Sequence, residues 1–152
     1  MNIRIPTQAD LPAISLVLKD TELFPVEMLD DLINPFLSGS GSDDRWLVCE
    51  TDDRDVVGFS YCRREPLTEG TWNLLAIGLR KQQQGRGLGK ALLGGVEQSL
   101  ADERLLIVDT SGLEAFSATR AYYERCGYER EAVIRDYWTD GDDKVTYRKP
   151  MR

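Results

Sequence analysis

Leu75-Ala76-Ile77-Gly78-Leu79-Arg80-Lys81-Gln82-Gln83-Gln84-Gly85-Arg86-Gly87-Leu88-Gly89-Lys90 is the stretch that decides the fold. Its first half is apolar and of strand length; its second half places glycine at alternate positions. Beyond it Leu88, Leu92, Val96 and Leu100 recur every four residues, with Ala91 and Leu93 widening the stripe, as on a helix that buries one side. A strand that runs through glycines into a helix leaves backbone N–H groups open at a helix N-terminus, where the macrodipole favours an anion. Glycine suits the turn because a Cβ would hold the anion off the backbone or forbid the dihedrals. The charge agrees. Residues 70–96 contain no Asp or Glu but do contain Arg80, Lys81, Arg86 and Lys90. Arg86 and Lys90, inside the turn, would add charge-assisted contacts to a phosphate.

Working outward, residues 72–79 form the longest strand candidate, and its apolar positions change phase: Trp72 and Leu74 on one parity, Leu75, Ile77 and Leu79 on the other. Either an extra residue in a β-bulge or burial on both faces gives such a run. Upstream, residues 46–50 and 56–63 read as a hairpin joined by Thr51-Asp52-Asp53-Arg54, with Val57, Phe59 and Tyr61 alternating against Gly58, Ser60 and Cys62. Residues 2–5 read as a short strand. Pro6-Thr7 then opens a helix with Thr7 and Asp10 as a capping-box-like pair and Leu11, Ile14, Val17 and Leu18 on its inner side. Pro25 starts a second helix carrying Met28, Leu29, Leu32, Ile33, Phe36 and Leu37, which ends in the Ser/Gly loop 38–42. Downstream come a strand at 105–108, a helix at 115–126 closed by Gly127, and two strands near 131–137 and 144–148 around the hairpin signal Asp140-Gly141. The expected class is α/β (α+β): a central mixed, mostly antiparallel sheet of six to seven strands flanked by about four helices, in one domain spanning 1–152.

Composition narrows the chemistry. The chain has 152 residues, 41% apolar and 30% charged, the range of a soluble globular domain. No apolar run approaches bilayer length and the N-terminus has no secretory pattern, so a cytoplasmic protein away from membranes is expected. There is no histidine, which excludes Ser-His-Asp and Cys-His catalysis. Cys49, Cys62 and Cys126 are an odd number at unrelated spacings, suggesting neither disulfides nor a metal site, and are expected to be buried. With 26 acidic against 19 basic residues, the net charge of −7 repels nucleic acid.

Three phosphate-cradling patterns compete for the glycine turn. A nucleoside-triphosphate P-loop requires glycine where this chain has Gln84 and a hydroxyl where it has Ala91; a dinucleotide G-x-G-x-x-G fingerprint puts its third glycine where Lys90 stands. The pattern met in full is Gln or Arg, two residues, Gly, one residue, Gly or Ala, satisfied by Gln84, Gly87 and Gly89. Here the chain resembles the GCN5-related N-acetyltransferase (GNAT) family. Leu75-Ala76-Ile77-Gly78-Leu79 looks like the family's cofactor-side strand, residues 84–93 like its pyrophosphate loop and helix, and Ala121-Tyr122-Tyr123-Glu124-Arg125-Cys126-Gly127-Tyr128 like its "fYeklGF" segment.

The resemblance implies an enzyme, an acyltransferase passing an acetyl group from the cosubstrate acetyl-CoA to an amine by direct attack, without a metal. It implies that the backbone at Ile77 and Leu79 pairs with the pantetheine arm, that Gln84, Gly85, Arg86, Gly87, Leu88, Gly89 and Lys90 hold the pyrophosphate, and that Tyr123 protonates the departing thiolate. Two positions depart from the family pattern: Phe116 stands where many members have asparagine seven residues before the tyrosine, and Lys81 replaces a usual proline. Thr119 and Arg120 are the alternatives for the missing asparagine contact. Glu22, Glu27 and Glu69 are the carboxylates in segments the family places around its acceptor, each also readable as an ordinary surface residue. The partner is a small-molecule or peptide amine; a homodimer and a longer acyl donor stay open. The competing function is a non-catalytic coenzyme A-binding or protein-interaction module on the same fold.

Overall fold

The computed structural model describes residues 1–152. The chain divides into two compact units, one of Met1–Arg64 and Leu75–Ser99, the other of Glu65–Leu74 and Leu100–Arg152. The strands β1 (Asn2–Arg4), β2 (Arg45–Glu50), β3 (Val56–Arg64), β4 (Thr71–Leu79), β5 (Leu105–Ser111), β6 (Glu129–Thr139) and β7 (Asp142–Pro150) form a seven-stranded mixed sheet in the order β1-β2-β3-β4-β5-β7-β6, and four α-helices accompany it. That is the expected class, at the upper end of the expected strand number.

In the first unit β1 (Asn2–Arg4) pairs antiparallel with β2 (Arg45–Glu50), and β2 with β3 (Val56–Arg64). Two apolar clusters cover the two faces of these strands. On one, Ile14, Val17 and Leu18 of α1 (Leu11–Thr21) and Leu29 and Ile33 of α2 (Leu29–Leu37) pack on Trp46, Val48, Phe59, Tyr61 and Ala76. Trp46 stacks on Tyr61 with ring centres 4.1 Å apart. On the other, Leu92 of α3 (Leu88–Ser99) joins Cys49 and Val57, with Ile3, Leu47, Ile77 and Leu88 packed around them. The simple alternation expected for β3 is corrected here. A register shift at Cys49/Glu50 puts an extra residue into β3, so Val57 turns to the α3 side while Phe59 and Tyr61 turn to α1 and α2. Gly58 is where β4 comes closest: a Cβ there would lie 2.9 Å from the Gly78 carbonyl oxygen. The N-terminal cap forms as read from Thr7 and Asp10, the Thr7 N–H donating to the Asp10 carboxylate at 2.7 Å.

β4 (Thr71–Leu79) contributes to both units. In the second its residues Thr71–Leu74 run parallel to β5 (Leu105–Ser111), with Leu74 opposite Val108. Trp72, Asn73 and Leu74 are buried in succession, so this segment is covered on both faces; the ladder to β5 ends at Leu74, and the next residue, Leu75, is exposed. β5 pairs antiparallel with β7 (Asp142–Pro150), and β7 with β6 (Glu129–Thr139) across the turn at Asp140-Gly141, where Gly141 has φ +80°. β6 is one edge of the sheet, β1 being the other, and is exposed along its whole length. α4 (Ser117–Arg125) lies between β5 and β6 in sequence. All three cysteines are free thiols, and Cys126, unlike Cys49 and Cys62, is only half-buried.

Candidate functional site

The glycine turn belongs to the first unit. At the end of β4 the Arg80 N–H donates to the Val57 carbonyl at 2.7 Å, and a 3-10 turn, Lys81–Gln83, follows. Asp20, near the end of α1, fixes this exit: Arg80 Nε reaches its carboxylate at 2.6 Å and the Lys81 N–H at 3.0 Å. The Arg80 hydrogen bond, with that of Lys81, holds the Asp20 carboxyl below the usual range. Gln84 Nε2 donates to the Leu79 carbonyl at 3.4 Å, closing the turn from inside.

Beyond Gln84 the backbone opens. Gly85 and Gly87 both have φ +80°, the left-handed region, with nothing within 4 Å of an added Cβ; glycine is required by dihedral rather than by space. The first helical bond of α3 runs from the Ala91 N–H to the Gly87 carbonyl at 3.1 Å, and the N–H groups of residues 85–90 have no backbone acceptor. This row of donors ends on a helix N-terminus and is flanked by Lys81, Arg86 and Lys90, all exposed and without a carboxylate partner. Of the four cations read from the sequence, Arg80 is thus committed to Asp20. Ile77 is half-buried in the α3 cluster and Leu79 is buried.

Tyr123 belongs to the second unit. It occupies the third-from-last helical position of α4, and the helix stops in a Schellman motif: the Tyr128 N–H bonds the Tyr123 carbonyl at 3.0 Å, the Gly127 N–H bonds the Glu124 carbonyl at 3.1 Å, and Gly127 has φ +89°. The motif's apolar clasp is aromatic, Tyr128 meeting the Tyr123 ring edge-on at 5.6 Å. Tyr147 of β7, itself held by Glu124 at 3.1 Å, lies 6.1 Å from the same ring. Tyr123 is therefore buried with its ring direction set by neighbours on two elements. Arg120 donates to the Ser111 and Leu113 carbonyls at 2.7 and 2.8 Å, which commits its guanidinium to the backbone before α4. Thr119 and Phe116 are exposed. So are Glu22, which caps α1 in a left-handed conformation, Glu27 and Glu69. Reading the sequence found the turn and the tyrosine but not Asp20, which lies sixty residues from Arg80 and carries no local signal.

An α/β chain of this strand order, with an open row of backbone donors after its fourth strand, falls in the class of the acyltransferase folds. The family model described as acetyltransferase (GNAT) domain matches residues 42–130. The chain belongs to the GNAT family. A structure from Desulfovibrio desulfuricans, described as belonging to the GNAT family, superimposes with TM-score 0.90 at 30% identity, covering 99% of each chain. A mycothiol acetyltransferase of Kocuria rhizophila is 36% identical over 90 residues, which make up 55% of this chain and 28% of that protein. A protein of Methanocaldococcus jannaschii described as an uncharacterized N-acetyltransferase is 26% identical over 101 residues, 64% of this chain and 61% of that one. The matched stretch is thus under a third of the length of the first of these two relatives and about three fifths of the second.

Proposed function

We propose that this protein transfers an acetyl group from acetyl-CoA to a primary amine. The observation that carries the reading is the open donor row of residues 85–90, with left-handed Gly85 and Gly87 and unpaired Lys81, Arg86 and Lys90 around it. A diphosphate with several negative oxygens matches such a row in charge and in donor number. In this reading Gln84, Gly85, Arg86, Gly87, Leu88, Gly89 and Lys90 hold the diphosphate, and the main chain at Ile77 and Leu79 lines up the pantetheine arm as an added strand. Tyr123 gives its phenolic proton to the departing thiolate, in the role of a positioned general acid.

The reading extends to a single working domain over residues 1–152, and the division of the residues of β4 between the two units supports it. It takes the acceptor as a small molecule or a peptide amine, and the exposed edge strand β6 as the place for a second copy in a homodimer. It places the protein in the cytoplasm: no helix is long and apolar enough to cross a membrane, and the three cysteines are free thiols. No group of His, Cys, Asp or Glu side chains is arranged to hold a metal ion.

Thiol release from acetyl-CoA, followed with and without a panel of primary amines, tests the activity. Release that depends on an amine is expected. Tight acetyl-CoA binding with no release on any amine would instead make the chain a coenzyme A-binding module.

A further inference from the structure

Lys81 opens the 3-10 turn that leads from β4 toward the glycines, and Arg80 before it has φ −52° and ψ 140°. That extended conformation is the one a proline imposes on the residue before it, and the first position of a helical turn is where a proline's fixed φ fits. Lysine leaves φ free. What lysine brings is an N–H, and this one donates to the Asp20 carboxylate at 3.0 Å.

The same carboxylate oxygen accepts from Arg80 Nε at 2.6 Å. Asp20 thus grips two successive residues, one through its side chain and one through its main chain, and fixes the joint between them. The bonds that Gln84 adds are weaker: its N–H reaches the Lys81 carbonyl at 3.5 Å and its Nε2 the Leu79 carbonyl at 3.4 Å, against a charge-assisted contact at 2.6 Å. Asp20 is itself held firmly, because the end of α1 is pressed onto β4. A Cβ at Gly78 would lie 2.8 Å from Leu23 Cδ1 and 3.1 Å from Thr21 Cγ2, and Thr21 Oγ1 donates to the Val17 carbonyl at 2.8 Å. All of these residues belong to the first unit. Downstream, Gly85 and Gly87 have left-handed backbones with no atom within 4 Å of an added Cβ. No packing against them sets their place, so the donor row takes its position from the point where the chain leaves β4.

We infer that Asp20 is the positioning residue of the donor row: by holding the Arg80 side chain and the Lys81 N–H it presets the turn that residues 84–90 offer to the diphosphate, a part that a fixed φ at position 81 would play in its stead. The inference rests on the acetyl-CoA reading proposed above. Asp20 acts through its two partners and does not touch the ligand. A carboxylate beside a diphosphate would repel it, and the pairing with Arg80 offsets that charge. The two effects have opposite signs on binding. By charge alone, removing this acid and freeing Arg80 tightens the hold on an anion; by position, it loosens it.

Calorimetry of acetyl-CoA with wild type, Asp20→Ala, Asp20→Asn, Lys81→Pro and the double variant Asp20→Ala/Lys81→Pro tests this, with melting curves to show that each is folded. Asp20→Ala should weaken binding about tenfold, the cost of ordering a loosened turn. Asp20→Asn, which keeps an oxygen acceptor, should weaken it less. In the proline background the same alanine substitution should cost less than about threefold, since proline has already restricted the turn; the lysine charge is absent from both members of that comparison and cancels. Should the proline variants not fold, hydrogen exchange decides: without ligand, the amides of residues 82–89 should exchange faster in Asp20→Ala than in wild type, while those of β2 and β3 keep their rates. Asp20→Ala that binds as tightly as wild type or more tightly, an equal loss in the two backgrounds, or unchanged exchange at residues 82–89 overturns the assignment. A folded wild type that gives no heat with acetyl-CoA overturns the reading beneath it first.

Discussion

Asp10 shows how much one carboxylate can hold in place at the start of a chain. It accepts from both terminal nitrogens of the Arg4 guanidinium, at 2.8 and 2.9 Å, and from the Thr7 N–H at 2.7 Å, which ties β1 to the first turn before α1. The Arg4 hydrogen bond is the largest of the influences that hold its carboxyl below the usual carboxylate range. A carboxyl whose pKa is lower in the folded state gives stability that is complete above the unfolded value and is lost as pH falls through the folded one. Asp10→Asn should therefore cost ~2 kcal/mol at neutral pH, the scale of a charge-assisted hydrogen bond with a half-open partner. Urea unfolding should show the gap between variant and wild type closing below about pH 4. At the second unit, Tyr123→Phe keeps the aromatic packing with Tyr128 and Tyr147 and removes only the hydroxyl. It should lower kcat about 100-fold while the KM for acetyl-CoA stays within a factor of two, as expected of a lost proton donor; equal turnover would remove Tyr123 from the chemistry. Single residues were unevenly legible in the sequence. Gly85, Gly87 and Tyr123 stand out because a motif surrounds them, whereas Asp20 gains its meaning from a partner far along the chain, Arg80.

At the scale of the elements, the strand-turn-helix unit from β4 to α3 could be read directly, because its three parts have different periods and the glycines punctuate them. The function of those glycines is dihedral. Gly87 at φ +80° has open space around its Cα, so alanine there meets no neighbour but must leave or strain the left-handed region at ~1–2 kcal/mol. Gly87→Ala should accordingly weaken acetyl-CoA binding about tenfold, the equivalent of ~1.4 kcal/mol, with little change in melting temperature without ligand. The C-terminus of α4 was legible only as a stop at Gly127; that Tyr123 and Tyr128 are the two ends of its clasp follows from the Schellman geometry. β3 misled for a physical reason. Its residues alternate regularly in sequence, and the extra residue that turns Val57 to the other face is set by pairing with β2, which sequence periodicity does not record. β5 and β6 extend past their apolar runs because polar residues such as Thr110, Ser111 and Glu129 still join the ladder, so their lengths follow from their partners.

For the whole molecule the charge distribution decides what binds. A net charge of −7 discourages anionic ligands in general, yet residues 70–96 are free of acid, and Lys81, Arg86 and Lys90 stand unpaired beside an open row of N–H groups. The contrast between that segment and the rest was fully legible in the sequence; the use of Arg80 to fasten the turn to α1 was not, since Asp20 lies in a different element. An anion held by exposed cations and backbone dipoles should be bound less tightly as salt rises, because screening acts on the former within about 10 Å at 0.1 M. Isothermal calorimetry of acetyl-CoA with the folded protein at low and moderate salt measures this most directly. One molecule bound per chain, weaker at the higher salt, and no heat with ATP or NAD is the predicted result; a folded protein that gives no heat with acetyl-CoA would contradict the account.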